Sequence, residues 1–186
     1  MNKTAAWALW IGLISPLVQA TEYKTVALNQ SKITFVYKQM GVAVEGHFQK
    51  FSPQVSFDPA KPANAKAAMD IELSSVDAGS AEADDEVVGK SWFNVKSFPK
   101  ASFVATQIKA AGANQFDVAG KLTIKGQTRD VAFVMRLVPQ GANAVLSGGF
   151  VIKRGDFAIG EGPWAKFDIV ANDIQVNFSL TAQQGK

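Results

Sequence analysis

The side chains able to move a proton or hold a metal are few in this chain, and their spacing fits little known chemistry. There is one histidine, His47, and no cysteine. A Ser-His-Asp hydrolase needs its histidine beside an activated serine, and no Gly-x-Ser-x-Gly elbow is present to supply one. His47 shares the polar side of its segment with Glu45, where a solvated strand histidine would lie. Without cysteine, iron–sulfur, thiolate-zinc and c-type haem sites are excluded, and so are disulfides. Glu82, Asp84, Asp85 and Glu86 cluster, but a helix points them around its axis and calcium-loop spacing is absent. An acidic helix start in water is the expectation. Gly89-Lys90-Ser91 ends like a phosphate loop, yet Asp84 stands where that loop needs glycine. Asp70 and Glu72 could pair as carboxylates, but alternation puts both on the outer face of one strand. No catalytic residue, metal ligand or cofactor is assigned, and the chain is not expected to be an enzyme.

The elements that position these residues are strands. Apolar residues recur at every second position, as in strands with one buried face. Within Lys32 to Lys38, Ile33, Phe35 and Tyr37 point one way; after the Met40-Gly41 break, Val42, Val44, Gly46 and Phe48 share a face. Val55 and Phe57 follow, then Ala67, Met69, Ile71 and Leu73. Further strands are read over 103–108, 116–124, 128–138, 145–153 and 174–181. Turn residues separate them, with Lys125-Gly126-Gln127 as a tight hairpin. About eight antiparallel strands at this spacing fit a sandwich or a closed barrel. Between 77 and 90 the period disappears. Ser80 as N-cap and the acidic positions after it predict a short helix, ended by Gly89.

The first twenty residues read as an export signal. Lys3 is followed by an apolar run from Ala5 to Val18, broken by Pro16, and Val18-Gln19-Ala20 sets a cut after Ala20. The run is too short to span a bilayer comfortably. Residues 21–186 then make one domain of 166 residues, expected in a bacterial periplasm. Loss of Lys3 takes the formal net charge from +3 to +2. The basic residues are scattered, which argues against a nucleic-acid partner. All 13 Phe lie in the exported part. They either fill the interior or line an open one, and composition leaves both readings standing. Gly41, Gly46, Gly120, Gly148 and Gly149 can curve strands or leave room inside.

Several stretches together resemble the polyisoprenoid-binding, YceI-like family of exported proteins. They are Ser31-Lys32-Ile33-Thr34-Phe35, Lys38-Gln39-Met40-Gly41-Val42, Gly46-His47-Phe48, Phe57-Asp58-Pro59, Ser75-Val76-Asp77 and Trp92-Phe93-Asn94. Phe98 to Phe103 and Gly120 to Thr128 continue the series in family order. The family often carries histidine before the Met-Gly pair; here it is Gln39, which keeps a hydrogen-bond donor. The resemblance implies an all-β, eight-stranded, lipocalin-like antiparallel barrel over 21–186, with a short helix near one mouth and a long apolar tunnel. Its implied cargo is an isoprenoid, a prenyl quinone or another long-chain lipid, and some relatives are homodimers.

Inward alternation and these motifs select the expected ligand contacts: Phe35, Tyr37, Gln39, Val44, Phe48, Met69, Ile71, Phe103, Leu122, Phe133, Met135 and Phe178. Gln39 and Tyr37 would meet a polar head group. Trp92 and Phe93 would seat the helix at the mouth, and Trp164 would pack in the loop before the last strand. The leading reading is a periplasmic lipid carrier. Its rivals are a quinone holder serving a membrane electron-transfer partner, a lipid-modifying enzyme, and a stress-related scavenger of hydrophobic compounds.

Overall fold

A computed structural model describes residues 22–185, so the expected export signal over 1–20 lies outside the described residues. In chain order the elements are β1 (Tyr23–Gln39), β2 (Val42–Phe48), β3 (Phe51–Ser56), β4 (Lys66–Glu72), β5 (Val76–Asp77) and α1 (Ala81–Val87). After them come β6 (Lys100–Gly112), β7 (Gln115–Ile124), β8 (Gln127–Gln140), β9 (Asn143–Lys153) and β10 (Asp173–Gln184). All strands join one antiparallel sheet in the order β3-β4-β6-β7-β8-β9-β10-β1-β2-β5. The sheet curls on itself. Tyr23, opening β1, bridges Phe57 just past β3, their N–H groups each donating to the other's carbonyl at 2.8 and 3.0 Å.

The expected count of eight strands is corrected to ten. One alternating run is divided into β2 and β3 by a bend at Gln49-Lys50, where the backbone donors leave the ladder. The Gln49 N–H donates to the Ser75 carbonyl and the Lys50 N–H to the Ser75 hydroxyl, both at 3.0 Å. Val76-Asp77 then adds the two-residue β5 against Phe48 and His47.

β1 also starts well before Lys32. Its register against β10 jumps from Ala27↔Thr181 to Lys32↔Ser179, a bulge of extra residues on one strand. Polar bonds hold the bulge. The Ser31 hydroxyl donates to the Ala27 carbonyl at 2.7 Å and accepts the Thr181 N–H at 3.0 Å, and the Thr181 hydroxyl donates to the Gln30 carbonyl. The extra residues break period two, so alternation shows only the second half of the strand.

In α1 the Ser80 hydroxyl accepts the Ala83 N–H at 3.3 Å, with Glu82 and Asp84 in the first turn, where acidic side chains oppose the positive end of the dipole. Gly89 follows the helix's C-cap, as expected, and a Cβ there would stand 2.9 Å from the Glu86 carbonyl oxygen, but it does not end the helix by a left-handed turn. The helix stops at Val87, with Val88 in the right-handed region. At the hairpins, Met40-Gly41 and Lys125-Gly126 have positive φ at both residues (48° and 82°, 49° and 75°), the turn that matches strand twist.

Two buried clusters occupy opposite ends of the curled sheet. One gathers strand ends near Tyr23, Phe57, Phe116, Leu137, Ala144 and Ala182. The other gathers Leu73, Trp92, Ala101, Ile124, Ile152 and Phe157 at the α1 end. Between them, Phe35 lies over Gly46, Phe103 over Gly120 and Phe178 over Gly148, where any side chain would strike the ring. Each ring therefore lies along the wall instead of crossing the interior, a device that also lets the sheet curve.

Candidate functional site

Strand alternation turns one face of the curled sheet inward, and that face encloses a cavity of about 530 Å³. Small-molecule sites commonly measure about 300–1,000 Å³. β1 supplies Ile33, Phe35, Tyr37 and Gln39 to the wall, and β2 supplies Phe48. Met69 and Ile71 come from β4, Phe103 from β6 and Leu122 from β7. Phe133 and Met135 of β8 and Phe178 of β10 complete the set expected from sequence. Val44 is the correction. Register places it opposite Tyr37, but the chain at Gly79 packs onto it, its Cγ1 standing 3.1 Å from where a Gly79 Cβ would be, and it is not on the cavity wall.

The wall is aromatic in two runs. Phe35 contacts Phe48 with centroids 5.4 Å apart, and Phe48 reaches Phe93 at 6.3 Å. Phe133 contacts Phe103, Phe150 and Phe178 at 5.7, 5.2 and 5.4 Å. Phe150 was missed as a site residue although it shares its alternation with Ile152, the signal that could have found it.

The exposed members of the wall are Gln39, Ser80, Glu82 and Glu86, all at the hairpin tip and α1, which locates the mouth. Three hydrogen bonds moor α1 there. The Tyr37 hydroxyl donates to the Ala78 carbonyl at 2.9 Å, and the Ala78 N–H donates to the Asp84 carboxylate. The Trp164 indole N–H donates to Glu86 Oε1 at 2.7 Å. Burial, and then the charge of Asp84, raises the Tyr37 phenol above its ordinary pKa, which keeps the proton it donates. The acidic residues of α1 are thus not simply a solvated face: Glu82 and Glu86 form part of the rim.

Nothing in the sequence pattern pointed to Arg154, which follows β9 and is 1% exposed. Its guanidinium donates to the carbonyls of Ile159, Gly160, Trp164, Lys166, Val170 and Ala171 at 2.8–3.3 Å. The Trp92 and Phe167 rings flank it, with centroids 5.3 and 4.9 Å away. Burial lowers its pKa. Arg154 thereby fixes the loop that carries Trp164 to α1. Trp92, Phe93 and Trp164 all reach the cavity wall as well as the core at this end.

The groups first weighed for chemistry lie elsewhere. His47 Nδ1 is 3.8 Å from Asp77 Oδ2, both side chains exposed. Asp70 and Glu72 face outward to Lys100 and Lys50 at 3.5 and 3.7 Å. Among the described residues no group of three or more His, Asp or Glu side chains could hold a metal.

Comparison with known proteins places this arrangement. The YceI-like domain model matches residues 23–182. A UPF0312 protein of Pseudomonas putida strain F1 is 31% identical over 186 residues, covering 95% of this chain and 96% of the relative. Burkholderia cenocepacia BcnA superposes with a TM-score of 0.83 at 44% identity, covering 86% of this chain and 100% of that one. A polyisoprenoid binding domain from Saccharophagus degradans, implicated in plant cell wall breakdown, superposes at 0.69 with 15% identity, covering 89% and 99%, which shows the shared fold alone.

Proposed function

Because the chain belongs to the YceI-like family, we propose that it is a periplasmic carrier holding one long-chain lipid, an isoprenoid or prenyl quinone, in the cavity beneath α1. The observation that carries this reading is the apolar, aromatic-walled cavity with its polar residues gathered at one mouth. Each buried methylene contributes ~0.8 kcal/mol, so ten would gross about 8 kcal/mol before ordering costs. That corresponds to affinity on the order of micromolar, reached without directed chemistry. The polyisoprenoid binding domain among its structural neighbours supports the cargo class, and the export segment over 1–20 supports the compartment. The wall residues Phe35, Phe48, Met69, Ile71, Phe103, Leu122, Phe133, Met135 and Phe178 would hold the chain, with Tyr37 and Gln39 near its polar end. No catalytic step is assigned to the site.

Native mass spectrometry of protein purified from its own periplasm, followed by lipid extraction, tests the reading. One long-chain lipid per protein chain is expected. Protein that co-purifies with none and takes up none from solution would overturn it. A prenyl quinone as the cargo would favour service to a membrane electron-transfer partner over general lipid transport.

A further inference from the structure

Two long neighbouring strands of the curled sheet part halfway along their length. β8 and β9 pair from Gln140↔Asn143 to Met135↔Gly148, and there their ladder stops. Both strands continue beyond it. β8 stays paired to β7 as far as Gln127, and β9 to β10 as far as Lys153. No ladder pair joins 127–134 to 149–153, so a seam runs from mid-sheet toward the α1 end, where Ile124 and Ile152 are buried. Charge does not bridge it either. Continued at the same register, Asp130 would face Lys153. Each instead pairs on its own side, Asp130 with Lys121 of β7 at 2.9 Å and Lys153 with Asp173 of β10 at 2.8 Å. Side chains close the seam. Phe133 and Phe150, opposite each other at that register, stack on the cavity side with centroids 5.2 Å apart and planes 17° apart. At the α1 end the Arg129 guanidinium lies 6.0 Å from the centre of the Phe157 ring. On the outer side Val134 and Val151 are 46% and 55% exposed.

Separating two paired strands breaks a row of backbone hydrogen bonds together. Separating these halves unstacks one ring pair and breaks no ladder. The mouth is the harder way in for an apolar chain, because α1 is moored across it and Glu82 and Glu86 stand on its rim. A chain passing sideways between Val134 and Val151 meets apolar side chains and then the two rings. On the reading that the cavity holds a chain-like lipid, we propose that the β8–β9 seam is its side entrance: the Phe133 and Phe150 rings part, the apolar chain enters sideways, and the rings close behind it.

Tying the seam shut tests this. Residues 132 and 151 face each other across it at the same register, and alternation points both away from the cavity. The chain has no cysteine, so Ala132→Cys with Val151→Cys places its two thiols on the seam. They are tied by oxidation or by bismaleimidoethane. Lipid-free protein is then mixed with geranylgeraniol in stopped flow, with Trp92 and Trp164 on the wall reporting arrival by their fluorescence. Tying should slow association and dissociation at least about tenfold while the equilibrium affinity stays within about twofold, because binding then lacks the opening it requires. Reducing the disulfide should restore both rates. Phe150→Leu loosens the seam without any cross-link and should quicken association as well as release. Rates unmoved by tying, or association unchanged in Phe150→Leu, would each overturn the side entrance while leaving the lipid-carrier reading intact. Failure of the untied protein to bind either geranylgeraniol or palmitic acid would instead overturn the carrier reading, and the side entrance with it.

Discussion

Arg154 brings a guanidinium into an interior that offers it six backbone carbonyls and no carboxylate. Those carbonyls belong to a loop with little regular structure, so Arg154 does there what a ladder does for a strand. Replacing it strands several buried acceptors at once. Arg154→Met should lower stability by about 3 kcal/mol or more in urea unfolding, and Arg154→Lys should recover little, because an ammonium cannot span the same fork. Tyr37 makes a second residue-scale prediction. Its phenol titrates above the ordinary value of 10.0 when folded. Stability from that difference is complete below the unfolded pKa and is lost as pH rises through the folded one, since the native state then holds the extra proton. Tyr37→Phe should cost about 1 kcal/mol at neutral pH through the lost bond to Ala78, and should flatten the alkaline decline in thermal stability.

At the scale of elements, α1 is a seven-residue helix with no buried residue. Such a helix is too short to stand on propensity alone; its cap and its moorings to Ala78 and Trp164 hold it over the mouth. Trp164→Phe removes one mooring and keeps the ring. Hydrogen exchange across 81–87 should quicken while global stability changes by less than about 1 kcal/mol. Unchanged exchange there would show that the bond to Glu86 is not what holds the helix. Strand β1 teaches a related lesson. Its second half is evident from Ile33, Phe35 and Tyr37, but its first half is hidden by the bulge at Leu28 to Ser31, which only the pairing with β10 reveals.

At the scale of the molecule, the interior stays open because three phenylalanines rest over glycines of neighbouring strands. Gly120→Ala would drive the Phe103 ring into the cavity. It should cost about 1–3 kcal/mol of stability by overpacking and weaken lipid uptake, measured by fluorescent-lipid displacement. Ile71→Trp fills the cavity from the wall itself and should weaken uptake with a smaller stability change. Unaltered binding in both variants would mean that cargo does not occupy this cavity.

Period-two alternation, turn chemistry and the family motifs were enough to place the sheet, the helix after Ser80 and most of the cavity wall, because side-chain direction in a strand follows from parity alone. Parity cannot say what packs upon an inward face, which is why Val44 is covered by Gly79 while Tyr37 beside it meets the cavity. Nor can it say whether inward phenylalanines fill a space or line it. That was decided by the cross-strand register that sets Phe35 over Gly46 and Phe178 over Gly148. The mouth, with Arg154, Trp92, Trp164 and Glu86, is built from segments distant in the chain. Their meeting depends on the curl of the whole sheet, and no local pattern encodes it.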